Sequence, residues 1–268
     1  MVGQRQLMKF IQQQIDSDML SHFSIIVGEK GSGRKTLAHN IFAMMGGGAF
    51  VVVGTSIDAI RNMIAEAHRL NGLNVLYLIP DADTMSVQAK NALLKVTEEP
   101  PKGAYFVMTL EDESNTLDTI RSRGTVYRME RYTTSEIAQY AKDVYDETTE
   151  IYADLCETPG EVDALYSISI EDFYEYVRLS VDNIQRVSLA NALKMSNRIA
   201  LKAEDEEKYD LKLFWKAFMR ICAKRMLKES EYVEWIRITS KSLKRLNVRG
   251  INKQMLFDNW IFEIREWR

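Results

Sequence analysis

The stretch Ser24-Ile-Ile-Val-Gly-Glu-Lys-Gly-Ser-Gly-Arg-Lys-Thr36 decides the fold. A short apolar run enters a glycine-rich loop, as a buried parallel strand does, and Thr36 to Met45 reads as the helix that leaves it. Glycines at 28, 31 and 33 let the backbone turn so that its N–H groups face phosphate oxygens, with a helix N-terminus behind them. Gly28, Gly31 and Gly33 have the spacing of a phosphate-binding P-loop. That pattern then calls for Lys and a Ser or Thr directly after the last glycine, for the outer phosphates and for magnesium. Here Arg34 takes the lysine position, Lys35 the hydroxyl position, and Thr36 comes one place late. Arginine is longer and planar, so it does not replace lysine cleanly in a tight loop, and Lys35 cannot hold a metal ion. Shifting the register by one, to use Lys35 and Thr36, breaks the glycine spacing.

Outward from the loop, strands and helices alternate. Residues 5–20 carry Leu7, Met8, Phe10, Ile11 and Ile15 at helical spacing. Phe50–Val53, Val75–Ile79 and Tyr105–Thr109 read as further strands, with helices over 57–70 and 87–98 and Ser56 or Asp58 near the cap of the first. Such alternation, with a P-loop at the first turn, predicts a parallel α/β sheet. From Thr133 onward helical spacing dominates. The third strand should end in the acidic pair that handles magnesium and water, but it ends in Pro80-Asp81. Pro80 removes the first carboxylate, and Asp81 stands at the second position. No ATP hydrolysis by the chain itself is expected, while nucleotide binding without turnover stays open.

Composition is that of a globular chain, 46% hydrophobic and 27% charged over 268 residues. The start lacks the apolar stretch of a secretory signal, and no apolar run reaches the roughly 18 residues of a membrane span. Cys156 and Cys222 are isolated, which speaks against zinc and for a reducing, cytoplasmic setting. Charge is segregated. Residues 1–130 carry 13 basic and 14 acidic side chains, residues 131–185 carry 3 and 13, and residues 186–268 carry 19 and 11. Two explanations suit such runs: solvated helix faces, or a basic C-terminal module that packs on acidic partners or lies near nucleic acid. Lys224, Arg225, Lys241, Lys244, Arg245 and Arg249 make up the basic surface. Phe214, Trp215, Phe218, Tyr232, Trp235, Trp260, Phe262 and Trp267 read as helical core or subunit interface rather than base-stacking residues. His22, His39 and His68 have no catalytic spacing.

The segment Asn74-Val-Leu-Tyr-Leu-Ile-Pro-Asp-Ala-Asp-Thr-Met-Ser-Val-Gln-Ala-Lys-Asn-Ala-Leu-Leu-Lys-Val-Thr-Glu-Glu-Pro-Pro101 resembles the bacterial clamp-loader AAA+ family, in its DNA polymerase III delta-prime branch. Asn91-Ala-Leu-Leu-Lys95 and Glu98-Glu-Pro-Pro101 are its most specific parts. Thr119-Ile-Arg-Ser-Arg-Gly124 resembles the family's Ser-Arg-Cys motif, with Gly124 in place of Cys. The similarity runs over about residues 5–165 and weakens beyond, although Leu246 to Ile264 resembles the last collar helices. It implies an AAA+ module over 1–130, a small helical lid over 131–185 and an all-helical collar over 186–268. It also implies that Arg123, beside Ser122, acts as an arginine finger on ATP held by a neighbouring subunit. The lid position where ATPase subunits sense the γ-phosphate with an Arg falls at Val162, and Thr109 stands near the polar sensor of the fourth strand. The four-cysteine zinc module of many relatives is missing.

Taken together, the resemblance implies a non-hydrolysing delta-prime-like stator without a tightly bound cofactor. Its partners would be the other loader subunits, the sliding clamp and, through the complex, primed DNA. Two further readings stay open: an active ATPase that uses Lys35 and Thr36, and a stand-alone DNA-binding protein on the same fold.

Overall fold

The computed structural model describes residues 2–70, 72–146, 150–167, 169–200, 208–226, 231–246, 248 and 250–266. Arg249 and Trp267, assigned above to the basic surface and the aromatic set, lie outside the described residues. The chain divides into two compact units, Met1–Glu147 with Glu157–Gly160, and Thr148–Cys156 with Glu161–Arg268. No described helix is long and apolar enough to cross a membrane.

The first unit runs α1 (Arg5–Asp16), β1 (Phe23–Val27), α2 (Arg34–Met44), β2 (Ala49–Val52), α3 (Ile57–Arg69), β3 (Val75–Ile79), α4 (Val87–Glu98), β4 (Ala104–Leu110), α5 (Asp118–Arg121), β5 (Thr125–Arg128) and α6 (Thr134–Tyr145). The strands make one sheet in the order β2-β3-β4-β1-β5, and every neighbouring pair is parallel. This is the AAA+ α/β architecture. Alternation along the central strands builds two cores. Phe23 and Ile25, Val75, Tyr77 and Ile79, and Phe106, Met108 and Leu110 pack with Ile60, Met63 and Leu93 of α3 and α4. Ile26, Leu76, Leu78 and Val107 pack on the other face with Ile11, Leu37 and Ile41 of α1 and α2. Helices therefore cover both faces, which is why these strands are apolar nearly throughout.

Local chemistry sets the helix starts. The Ser56 hydroxyl caps α3 by accepting the Ala59 N–H at 3.2 Å, which settles the choice between Ser56 and Asp58. Ser86 caps α4 in the same way, and Thr133 and Glu136 form a reciprocal capping box on α6. Three points differ from the sequence expectation. Helix α1 stops at Asp16, because Asp18 turns into the left-handed region at φ 53°. Helix α2 starts at Arg34, two residues early, so Arg34 and Lys35 belong to its first turn. A fifth strand, Thr125–Arg128, pairs with β1 and was not anticipated.

Packing between β1 and β5 explains the departure at Gly124. A Cβ there would lie 2.8 Å from Phe23 Cδ1 and 3.1 Å from Ile25 Cδ1. The Phe23 ring takes up the volume that a cysteine side chain would need.

The second unit is mostly helical: α7 (Glu150–Leu155), α8 (Pro159–Tyr166, whose first two residues belong to the first unit), α9 (Ile170–Asn183), α10 (Leu189–Leu193), α11 (Leu211–Arg225), α12 (Glu231–Leu246) and α13 (Lys253–Glu266), with a two-stranded parallel pair β6 (Ile199–Ala200) and β7 (Tyr209–Asp210). Phe214, Trp215, Phe218, Tyr232, Trp235 and Trp260 are buried, whereas Phe262 is partly exposed. The Trp260 indole N–H donates to Thr239 at 2.9 Å. Much of the segregated charge pairs within this unit. Asp154 meets Arg220 and Lys224, Glu161 meets Lys212 and Lys216, and Asp182 meets Arg225. Lys241 pairs with Glu263, while Lys244 and Arg245 are exposed.

Two stability predictions follow from this packing. Side chains of Glu161 and Lys216 are 12% and 9% exposed, so Glu161→Ala removes a largely buried carboxylate that Lys212 and Lys216 share and should cost about 3 kcal/mol, read from the urea midpoint by tryptophan fluorescence. Gly124→Cys should destabilise the first unit by about 1–3 kcal/mol through overpacking. A double-mutant cycle with Phe23→Leu, followed by circular dichroism, should show a favourable coupling.

Candidate functional site

Strand register places the site. Val27, the last residue of β1, lies opposite Leu110 of β4 and Arg128 of β5. The loops leaving these three strands therefore emerge together at the C-terminal edge of the sheet, the usual place for a ligand in an open α/β fold. The Gly28 N–H donates to Leu110 O at 3.1 Å and the Met129 N–H to Val27 O at 2.8 Å, holding the loops in register. One strand further, Ile79 lies opposite Met108, so Pro80-Asp81 emerges beside Thr109.

Within the loop, Gly31 and Gly33 have φ of 82° and 89°, a region L-residues avoid. Gly28 is required for space, since a Cβ there would come within 2.8 Å of Ser32 Oγ and 3.0 Å of Met129 Cβ. The loop is held from two sides. The Tyr132 hydroxyl donates to Ser32 O at 2.7 Å, and burial pushes that phenol up to about 12, so it is a protonated donor at neutral pH. The Gly160 N–H donates to Gly31 O at 2.9 Å, and Thr158 donates to Lys30 O at 3.4 Å. A Cβ on Gly160 would lie 2.6 Å from Gly31 Cα, so the two backbones meet glycine to glycine. Beside the loop lies a cavity of about 330 Å³ whose lining includes Glu29, Ser32, Glu130, Arg131, Tyr132 and Glu157.

At the head of α2 the charges close on one another. Arg34 is 6% exposed, and its Nη2 lies 3.1 Å from Asp81 Oδ1 and 3.6 Å from Glu111 Oε1. Lys35 Nζ lies 3.0 Å from Asp81 Oδ2. Asp81 itself is at φ 51°, and its N–H donates to the buried Thr109 hydroxyl at 2.9 Å. Asp83 accepts the N–H groups of Glu111 and Asp112, which fixes the turn that carries Glu111. Thr36, in the same first turn, is exposed.

Ser122 and Arg123 stand elsewhere. They precede β5, at the edge of the sheet where the strands begin, and the five residues of β1 separate that edge from the glycine loop, a distance of about 16 Å. Arg123 is 32% exposed. Its Nε donates to Glu98 Oε1 at 2.8 Å, Nη2 pairs with the same oxygen, and Nη1 donates to Thr119 O. Ser122 Oγ donates to Thr119 O at 3.2 Å. Arg121 pairs with Asp118 at 2.6 Å.

The structure thus brings Gly28, Gly31, Gly33, Arg34, Lys35 and Asp81 together and leaves Arg123 and Ser122 apart from them. Val162 is fully buried within α8. Sequence reasoning missed Glu98 as the partner of Arg123 and Glu111 as a second partner of Arg34. It also missed the docking of Thr158 and Gly160 on the loop. Glu98 lay within the quoted Glu-Glu-Pro-Pro motif and was the one with a usable signal.

Comparison with known proteins finds partial matches. Residues 53–133 match the family described as DNA polymerase III, delta subunit. Over 150 residues the chain is 29% identical to the DNA polymerase III subunit delta' of Bacillus subtilis, covering 45% of each chain. It is 27% identical over 187 residues to the replication factor C small subunit of Methanoculleus marisnigri, covering 64% of this chain and 55% of that one. These matches span about half the length of the relatives. A DNA polymerase III gamma subunit-related protein of Thermotoga maritima superposes with a TM-score of 0.59 at 15% identity, over 97% of this chain and 99% of that one, a likeness of fold. The chain has an AAA+-like fold and is similar in sequence, over part of its length, to the delta-prime subunits of DNA polymerase III.

Proposed function

We propose that this chain is a non-hydrolysing, delta-prime-like stator of a DNA polymerase III clamp loader that presents Arg123 to ATP bound by a neighbouring subunit. The observation that carries this reading is the separation of its charges. Arg123 sits at the edge of the sheet opposite the chain's own glycine loop, so it cannot serve a nucleotide held there. It is partly exposed, and its partner Glu98 is half exposed. An ion pair of that kind is worth about 0–1 kcal/mol, so a polyphosphate offered by another chain can take the guanidinium over. A guanidinium delivered to a transferring phosphoryl group stabilises the charge that develops there.

The loop of this chain does not suit magnesium nucleotide. An ammonium stands where a metal-holding hydroxyl is needed, Pro80 stands where the metal-orienting carboxylate is needed, and Asp81 is already engaged by both cations. Assembly with the other loader subunits, action on the sliding clamp and placement on primed DNA belong to the same proposal. They rest on the relatives' names and on the mostly helical second unit.

The test is ATPase activity of the loader reconstituted from the organism's own subunits with clamp and primed DNA. Arg123→Ala should lower the rate by at least about 100-fold with assembly intact, in line with the weight of an arginine finger. The isolated chain should be inactive. An unchanged rate overturns the trans role, and turnover by the chain alone that is lost on Lys35→Ala identifies it as an ATPase.

A further inference from the structure

Arg34 and Lys35 occupy the first two positions of an 11-residue helix, where the N-terminal dipole favours anions and disfavours cations. Arg34 is in addition almost fully buried, and a buried guanidinium needs an anionic partner. Asp81 supplies it. One carboxylate oxygen faces Arg34 at 3.1 Å and the other faces Lys35 at 3.0 Å. A single side chain thus bridges the two cations of the helix's first turn, as the oxygens of a bound phosphate could. The arrangement is also incomplete. Arg34 Nη1 is buried and has no hydrogen-bond partner among the described residues. A planar carboxylate shared between two cations leaves that donor over, whereas a tetrahedral phosphate has oxygens enough for all of them.

We propose that Asp81 is the residue that sets the ligand selectivity of the glycine loop: its carboxylate is a resident substitute for phosphate, and removing its charge makes the loop a site for polyphosphate anions. Refusal of nucleotide then does not follow from Arg34 and Lys35 alone. Both remain competent phosphate ligands, held by an internal competitor. Glu111, 3.6 Å from Arg34, is a second and weaker competitor. The inference concerns the chain's own loop and does not depend on the role of Arg123, so the ATPase measurement above and the binding measurement below can fail separately.

Asp81→Asn is well placed to fold. Asn accepts the left-handed backbone found here at φ 51°, keeps the N–H bond to Thr109, and is isosteric. The experiment is isothermal titration of the isolated full chain with tripolyphosphate and, separately, with ADP free of magnesium. Wild type is compared with Asp81→Asn, Asp81→Asn/Glu111→Gln and Asp81→Asn/Lys35→Ala. Glu99→Gln serves as a control that removes the same charge just beyond the end of α4. Tripolyphosphate affinity should rise at least tenfold in Asp81→Asn and further with Glu111→Gln, fall back when Lys35 is removed, and stay unchanged in the control. Should Asp81→Asn not fold by circular dichroism, Asp81→Ser gives the same comparison. Equal affinity in wild type and in the folded Asp81 variant overturns the proposal, and so does an equal gain from Glu99→Gln, which would be a bulk charge effect.

Discussion

The position of β1 between β4 and β5, parallel to both, is the constraint on which the rest of the first unit depends. Because Val27 is level with Leu110 and Arg128, three loops leave the sheet at one point. The glycine loop, the Glu111 turn and the Met129–Tyr132 segment become neighbours although about a hundred residues separate the first from the last. The same register sends whatever precedes β5 to the opposite edge. Arg123 and its partner Glu98, at the end of α4, therefore share one side of the sheet, while Asp81 and Arg34 share the other. Separation of a closed charge cluster from an exposed guanidinium is thus a property of topology, not of any local motif.

Electrostatics acts differently at these two places. A guanidinium that is 6% exposed is costly without a counter-charge, so Arg34 and Asp81 hold each other and hold the ends of β3 and α2 with them. Arg123 and Glu98 remain wetted, and water weakens their attraction. In the second unit an intermediate case recurs: acidic residues of α7, α8 and α9 meet basic residues of α11. Runs that look like one-sided charge along the chain become complementary faces once the helices pack.

Four strands, the covering helices and the glycine loop were legible in the sequence, because the strands are continuous apolar runs, the central ones buried on both faces, and α3 and α4 carry serine caps next to them. The fifth strand was not. Thr125-Val-Tyr-Arg128 is short, ends in a charge and pairs only with β1, so its stability comes from tertiary contact. The loop glycines were legible, but the two-residue advance of α2, which turns Arg34 and Lys35 into first-turn residues, was not, since helix ends carry weak local signals. Partners far apart in the chain were beyond reach: Arg123 with Glu98, Arg34 with Glu111 and Gly31 with Gly160 meet only through the register of the sheet and the path of the loops. Gly124 looked like a lapse from a motif, and the Phe23 ring beside it gives the departure a steric cause.

The aromatic distribution has an experimental corollary. All four tryptophans, at 215, 235, 260 and 267, fall in the second unit, and the first unit contains none. The three described ones are buried, in an aromatic cluster tied together by ring contacts such as Phe214–Trp260 and Phe218–Trp235. Tryptophan emission is therefore a spectroscopic label confined to one half of the molecule. The sheet-bearing half, dark at those wavelengths, can be given a tryptophan of its own and followed independently.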